Sequence, residues 1–307
     1  MWTLSVCIPI YNTDVRPLVA ELCAQIDKIQ EAAIDIILID DASELRVKEI
    51  NQFEHPKVQL ISLEKNVGRA RIRNLFLTHA PSDFLLFLDG DCTIQSPTFI
   101  ENYKLYLDQF PETQVLVGAS RYQVAAPPIN KRLRWRYSSK RESLPFSSRK
   151  ENPQHSFKTN NFLVRREILE QFPFDERLHG YGHEDTLFGL QLIQNGLQVR
   201  HIDNPVWNLN LDSNAVFLEK TDNALGNLLW IYRYHDSSLL LQTNQLLAVY
   251  LQLKSRIFLH CLLSILVGFE PMIKRFLLTG RALLFCFDLY RLARLRKLDK
   301  NTSVSSF

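Results

Sequence analysis

Short apolar runs, each followed by turn formers and then by an amphipathic stretch, recur from the start of the chain. Leu4 to Ile10, Ile34 to Ile39, Val58 to Ile61, Phe84 to Leu88 and Val115 to Val117 each read as a buried strand. A stretch with Leu18, Leu22 and Ile26 on one face reads as a helix, with Asp14 able to cap it and Pro17 in its first turn. Arg69 to Ala80 reads as another helix. Strands that are apolar on both faces and alternate with helices predict an α/β fold with a mostly parallel sheet and flanking helices. In such sheets ligands bind outside the carboxyl ends of the strands. The polar residues that follow each apolar run are therefore the candidates for function.

From about Arg121 to Lys158 the alternation gives way to a basic and aromatic stretch that includes Lys131, Arg132, Arg134, Trp135, Arg136 and Tyr137. A long irregular segment in a compact domain is usually functional or disordered. Order returns at Thr159 to Val164, followed by a helix from about Glu184 to Asn195 and a strand around Gln198 to Ile202; Ser96-Pro97 starts a further helix. Beyond Asp212 the pattern is helical. The expected organisation is an α/β domain over residues 1–211 and a helical region over residues 212–307. Ile257 to Phe269 is apolar but shorter than the roughly 20 residues that span a bilayer. Phe276 to Tyr290 is interrupted by Arg281 and Asp288, and the end carries Arg291, Arg294, Arg296, Lys297 and Lys300. Apolar helices with a basic end fit an amphipathic segment lying on an anionic membrane. A helical cap on the sheet and a dimer interface fit the same residues.

Composition narrows the function class. A length of 307 residues suits one large domain with an appendage, and 46% hydrophobic with 22% charged residues is ordinary for a globular chain. A net charge of +3 is too small to argue for a nucleic-acid partner. The five cysteines lack the spacing of a metal site or a disulfide framework, which reads as reduced thiols in a reducing compartment. The first residues carry no basic flank and too short an apolar core for a signal peptide, so a cytoplasmic location is expected.

Four polar groups sit where the chemistry should be. Asp89-Gly90-Asp91 ends a buried strand with two carboxylates around a glycine, which suits Mn2+ or Mg2+ bridging to a diphosphate. The competing reading is an Asp-Gly hairpin turn, disfavoured because no alternating strand follows. Asp40-Asp41-Ala42-Ser43 ends another strand and suits either hydrogen bonds to a base or ribose, or a helix cap. Asn66-Val67-Gly68 opens a helix carrying Arg69, Arg71 and Arg73. Asn66 can cap that helix, and the arginines suit either a diphosphate or a solvated basic face. Glu184-Asp185 follow a loop with Gly180 and Gly182. A carboxylate there either deprotonates an acceptor hydroxyl or merely favours a helix amino end.

The order of these motifs resembles the family-2 glycosyltransferases of the bacterial envelope-polysaccharide kind, which have the Rossmann-like GT-A fold. The resemblance covers about residues 3 to 212. It rests on Ser5 to Asn12, Ile39 to Ser43, Asn66-Val67-Gly68 with Arg73-Asn74, Asp89-Gly90-Asp91, Asn160-Asn161-Phe162, Tyr181 to Asp185, and His201 to Val206. It implies inverting hexosyl or hexosaminyl transfer from a UDP-sugar to an acceptor hydroxyl on a glycan or lipid-linked glycan. Pro9, Tyr11, Asn12 and Asp41 would border the nucleotide. Asn66, Gly68 and Arg73 would lie near uridine and phosphate. Asp89 and Asp91 match the metal motif, Asp185 matches the base, and Glu184 beside it would hold sugar hydroxyls. Similar sequences tend to carry a histidine metal ligand shortly after the Asn-Pro segment; Asn208 stands there, with His201 as a weaker substitute. The stretch from Lys131 to Lys150 would close over donor or acceptor as a mobile cover.

Three other functions are weighed. A non-catalytic nucleotide-sugar-binding scaffold of the envelope assembly machinery draws support from Asn208. A sugar nucleotidyltransferase would want a glycine-rich basic loop after the first strand, which Pro9-Ile10-Tyr11-Asn12 does not supply. A dinucleotide-dependent dehydrogenase lacks its Gly-x-Gly-x-x-Gly.

Overall fold

The computed structural model describes residues 2–29, 32–153, 157–208 and 210–304, with side chains to residue 300. The chain forms two compact units. Met1–Gln123, Glu142–Arg177 and Glu184–Asn210 make the first; Val124–Arg141, Leu178–His183 and Leu211–Phe307 make the second. The strands are β1 (Thr3–Ile10), β2 (Ala33–Asp40), β3 (Val58–Ser62), β4 (Phe84–Leu88), β5 (Cys92–Ile94), β6 (Val115–Tyr122), β7 (Asn161–Arg165) and β8 (Val199–Asn208). The helices are α1 (Arg16–Ile26), α2 (Leu45–Ile50), α3 (Arg69–His79), α4 (Phe99–Gln109), α5 (Arg132–Tyr137), α6 (Phe146–Glu151), α7 (Arg166–Gln171) and α8 (Glu184–Gln194), then α9 (Asn214–Tyr234), α10 (Ser237–Thr243), α11 (Gln245–Ser255), α12 (Ile257–Leu278) and α13 (Leu284–Val304).

In the first unit the described strands join one sheet in the order β3-β2-β1-β4-β7-β6-β8-β5. The first four run parallel, as their sequence predicts. The remainder is mixed: β7 lies antiparallel to both β4 and β6, β8 is parallel to β6, and β5 is antiparallel to β8. Successive side chains of a strand point to opposite faces, and both faces are covered. Leu4, Val6, Ile8, Ile36, Leu38 and Leu86 join residues of α1 and α4 in one core. Cys7, Ile37, Ile39, Leu85 and Phe87 join residues of α3, α7 and α8 in the other. This two-sided burial is why Phe84-Leu85-Leu86-Phe87-Leu88 reads as an unbroken apolar run. Each such side chain contributes about 1.5–3 kcal/mol relative to exposure.

Several details differ from the sequence expectation. A strand does follow Asp89-Gly90-Asp91, namely β5. It pairs with β8 rather than folding back on β4, so no hairpin forms there. The helix expected from Ser96-Pro97 begins at Phe99, with Thr98 as its amino cap. β8 does not stop near Ile202 but runs through Asn204-Pro205 to Asn208. The register shift between Val117 and Ala119 lets Pro205 sit opposite Ala119 without breaking the ladder. Gly118 lies at that shift, and a Cβ there would stand 2.1 Å from the Asn161 amide nitrogen. Asn161 fills the gap: its amide donates to Ala119 O and Asn204 O and accepts from the Tyr103 hydroxyl at 2.6 Å.

The basic stretch is less irregular than expected, although residues 154–156 within it lie outside the described residues. Its first-unit part holds α6, where buried Arg149 donates to Gly118 O, His201 Nδ1 and Ile202 O. An arginine anchored at three points does not belong to a freely swinging segment.

The second unit is helical and carries its own core of Leu133, Phe217, Leu218, Leu277, Ala282, Phe287 and Tyr290. Here the sequence expectation of a short apolar segment is corrected. α12 continues past Phe269 through Glu270-Pro271 to Leu278, 22 residues in all, long and apolar enough by composition to cross a membrane. The charges that interrupt the apolar run do not interrupt the helix, because Glu270 is buried and paired with Lys297 of α13 at 3.2 Å.

Candidate active site

The carboxyl ends of β1, β2 and β4 lie side by side because the three strands are parallel neighbours. The loop after β1 is tied to the loop after β2. Ser43 Oγ accepts the Asn12 N–H at 2.8 Å, and Asn12 Oδ1 accepts the Glu44 N–H at 2.8 Å. Asn12 takes a left-handed backbone (φ +50°), which asparagine tolerates better than most residues. Tyr11 beside it is exposed, and Pro9 is the last residue but one of β1. Gly90 approaches the same strand end: a Cβ there would lie 2.9 Å from Val15 Cγ1 and 3.3 Å from Pro9 O. The glycine between the two carboxylates is required by this close approach.

Asp41 holds the start of α3. Its carboxylate accepts the Val67 N–H at 2.6 Å and the Gly68 N–H at 3.2 Å, while Asn66 Nδ2 donates to Asp41 O. Asn66 therefore does not cap the helix as expected. Gly68 occupies the capping position with φ +85°, a backbone that disfavours any residue with a Cβ. Burial raises the Asp41 pKa above the ordinary carboxylate value, and the two N–H groups oppose the rise. Asp40 turns inward and accepts the Ser43 N–H at 2.8 Å. Asp41 and Ser43 thus knit two loops together, and neither caps α2, whose amino cap is Glu44.

The charges gather around Arg73, whose side chain is 2% exposed. Its Nη2 donates to Asp89 Oδ1 at 3.1 Å, its Nη1 to Arg69 O at 2.9 Å, and Glu184 Oε1 lies 3.8 Å from Nη1. Arg69 donates to Glu184 and lies 3.8 Å from Asp89 Oδ2. Two arginines one helical turn apart thus bridge two carboxylates from β4's end and α8's start. Burial, then the Arg69 charge, lower the Arg73 pKa; Asp89, Glu184 and Asp185 all act on its guanidinium in the opposite sense. For Glu184, 7% exposed, burial alone would raise the pKa, but Arg69 and Arg73 outweigh it and hold the carboxyl well below the usual range. Asp185 is more open. One of its oxygens accepts the Thr186 N–H at 2.7 Å, and Lys158 Nζ lies 3.8 Å from the other. Sequence reasoning passed over Arg69 as an individual ligand and Lys158 altogether. Arg69's position one turn before Arg73 was the available signal for the first; nothing local marks the second.

Asp91 is exposed, and the next residue, Cys92, pairs with Asn208 across the β5–β8 ladder. Asn208 is 9% exposed and its amide nitrogen finds no hydrogen-bond partner. Amide orientation is assigned from neighbouring groups, so this unmet amide, on the strand paired with the residue after Asp91, suits an oxygen donor to a hard cation. Among the described residues no group of three His, Cys, Asp or Glu side chains gathers at metal-binding spacing. Two carboxylates and an amide suit a cation that completes its shell with phosphate oxygens. His201 is not a substitute ligand. Its Nδ1 accepts from Arg149 and its Nε2 donates to Pro153 O, both at 3.0 Å, so both ring nitrogens are engaged.

Tyr181, Gly182 and His183 belong to the second unit. There Asn227 donates to His179 O and Gly182 O, and Lys220 Nζ stands 5.0 Å over the Tyr181 ring. Gly182 (φ +98°) packs against Ala224, where a Cβ would stand 2.7 Å from the alanine methyl.

Against known proteins, the profile described as Glycosyl transferase family 2 matches residues 5–172. An uncharacterized glycosyltransferase from Haemophilus influenzae is 33% identical over 88 residues; the match spans 29% of this chain and 29% of that relative. A mannosyltransferase from Pyrobaculum calidifontis, solved with GDP-Man and Mn2+, is similar with a TM-score of 0.58 at 16% identity, covering 97% of this chain and 87% of its own. Glucosyl-3-phosphoglycerate synthase from Mycobacterium tuberculosis, solved with Mn2+, UDP and glucosyl-3-phosphoglycerate, gives 0.52 at 16% identity over 74% and 79%. S. aureus TarS with UDP-GlcNAc gives 0.51 at 14% identity over 99% and 93%. The likeness to these structures establishes a GT-A fold. With that fold, and with the family profile running from β1 to the end of α7 over more than half of its length, the chain belongs to glycosyl transferase family 2.

Proposed function

We propose that the protein transfers a hexosyl or hexosaminyl group from a UDP-sugar to an acceptor hydroxyl, with inversion, in the assembly of a bacterial cell-surface polysaccharide. The observation that carries the reading is the Arg73 guanidinium bridging Asp89 at 3.1 Å and Glu184 at 3.8 Å, with Asp185 next to Glu184 at the start of α8, beside the Asp41 clasp at the start of α3. In this reading Pro9, Tyr11, Asn12 and Asp41 border the nucleotide, and Asn66, Gly68 and Arg73 lie near uridine and phosphate. Asp89 and Asp91, with Asn208 as an amide donor, would hold Mn2+ or Mg2+, which would offset charge on the departing diphosphate. Asp185 takes the proton of the acceptor hydroxyl. Its oxygen then bonds to the anomeric carbon as the bond to the diphosphate breaks, and UDP leaves. Glu184, held rigidly by Arg69 and Arg73, offers its remaining lone pairs to sugar hydroxyls.

The same reading takes a lipid-linked glycan as acceptor and places the protein at the inner face of the cytoplasmic membrane, where the basic, partly apolar second unit is suited to work. One observation favours a second reading, a nucleotide-sugar-binding scaffold without turnover: Asn208 stands where similar sequences tend to carry a histidine. A panel of UDP-sugars and GDP-sugars, screened for metal-dependent release of the nucleoside diphosphate alongside calorimetry with UDP, separates the two. Release with one UDP-sugar supports transfer. Tight UDP binding with no release across donors and acceptors supports the scaffold, and no binding of any nucleotide removes both.

A further inference from the structure

α12 is amphipathic with its apolar side turned outward. Phe258, Leu262, Ile265, Phe269, Met272 and Phe276 recur at alternating spacings of four and three and form one stripe along the helix. All six are exposed, Phe258 by 74% and Met272 by 61%. The side that packs within the second unit holds Leu263, Glu270 and Leu277, and Glu270 is the one carboxylate in α12. It is buried against Lys297, so the outward stripe carries no negative charge among the described residues. Exposed Arg256 precedes the helix, exposed Arg275 lies in its last turn, and exposed Arg281 follows it. Beyond Arg281, Leu283 and Phe285 continue the apolar exposure, by 71% and 67%. A contiguous apolar patch of this kind marks an interaction site rather than ordinary surface.

From this we infer that α12 is a docking surface for an anionic lipid bilayer and lies in the plane of the membrane interface without crossing it. The inference rests on the membrane-side part of the function proposed above, but not on the sugar chemistry. Charge selects the occupant. Arginines at both ends of an apolar stripe complement acidic headgroups, and their long stems reach from buried to wet surroundings. A second copy fits poorly. Antiparallel pairing would set Arg256 against Arg275 and parallel pairing would set each against itself, with no carboxylate on the stripe to offset them. Length alone permits a spanning helix. A spanning helix, however, would carry Glu270 and Lys274 into the hydrocarbon and part Glu270 from Lys297. In-plane docking keeps that pair and buries only the stripe.

The test uses the full chain with vesicles of phosphatidylcholine alone and with added phosphatidylglycerol, read by flotation and by quenching of a fluorophore on the exposed Cys261 with chain-brominated lipid. Expected are flotation with the anionic vesicles, quenching at Cys261, and release at alkaline pH. Ile265→Glu/Phe269→Glu should weaken binding by about tenfold or more. Arg256→Gln, Arg275→Gln and Arg281→Gln should each weaken binding to anionic vesicles by about fivefold. All these positions are exposed, and unchanged circular dichroism and melting would show the fold intact. Three results overturn the inference. They are flotation indifferent to the double variant, resistance to alkaline extraction, and a lipid-free dimer that the double variant converts to monomer. UDP calorimetry on the same samples keeps the donor site apart, since lost nucleotide binding with intact flotation would sink only the catalytic reading.

Discussion

Glu184→Gln offers the most direct probe of the charge cluster. The substitution keeps the side-chain volume and its hydrogen bond to Arg69 but removes the charge that Arg69 and Arg73 face. Arg73 is almost wholly buried, so it cannot recover solvation in exchange. Removing one partner of a buried ion pair costs about 3–5 kcal/mol. Arg73 retains Asp89 at 3.1 Å, which places the cost near the lower end, about 3 kcal/mol. At roughly 2–4 °C per kcal/mol, the melting temperature should fall by about 6–12 °C. Arg73→Met should also destabilise, by leaving Glu184 to Arg69 alone. The double variant removes both charges together and should be less damaged than the sum of the singles, with a coupling of about 1–3 kcal/mol. Melting of all four proteins at neutral pH measures this, and the coupling should persist at high salt because buried pairs are poorly screened. Additive losses, or a Glu184→Gln protein within about 0.5 kcal/mol of wild type, would show that the arginines do not depend on Glu184.

Asp185→Asn should lower transfer by about 10²–10⁴-fold with little change in UDP affinity by calorimetry, and near-normal turnover would remove the base assignment. Chelation should abolish UDP-sugar turnover, and Asn208→His should tighten Mn2+ binding in a direct titration; equal Mn2+ affinity in both proteins would exclude residue 208 from the metal shell. Burial holds His201 down to about 4 from its ordinary 6.5, the Arg149 charge adding to this against the hydrogen bond to Pro153. Between those values the unfolded chain binds a proton that the native one refuses. Stability is therefore complete above about pH 6.5 and falls by about 3 kcal/mol on acidification to about pH 4. His201→Gln should flatten the melting temperature across that window, and an unchanged slope would assign the acid sensitivity elsewhere.

The first half of the sheet was legible because its strands lie close to one another in sequence and β1, β2 and β4 are buried on both faces, so each of these prints an apolar run; β3, expected as a buried strand, lies at the sheet edge and is only half-buried. β5 left no such trace: three residues long, it exists only through pairing with β8, more than a hundred positions away. β8 was legible only to about Ile202; proline lacks the ladder's N–H and ordinarily ends a strand, yet the register shift near Gly118 accommodates Asn204-Pro205. α12 was cut short on paper at Glu270 because the lysine that neutralises it lies on the next helix. At the site, Asp89, Glu184 and Asp185 stood out as polar groups at the ends of apolar elements. That Asp89 and Glu184 share Arg69 and Arg73 did not, because nothing in the local sequence joins residues 69 and 73 to residue 184. Asn66 was misread as a cap for the same reason: Asp41, from another strand, supplies the acceptor.

The strand order carries a consequence for the chain's birth at the ribosome. β4 pairs on one side with β1, made early, and on the other only with β7, whose residues 161–165 are made far later. Translation at about 5–20 residues per second leaves that second edge bare for several seconds or more. The bare edge is Phe-Leu-Leu-Phe-Leu, a segment as ready to recruit a stranger's backbone as its own. Nascent chains stalled before β7 should therefore lean on chaperones or coalesce, whereas those released beyond it should not.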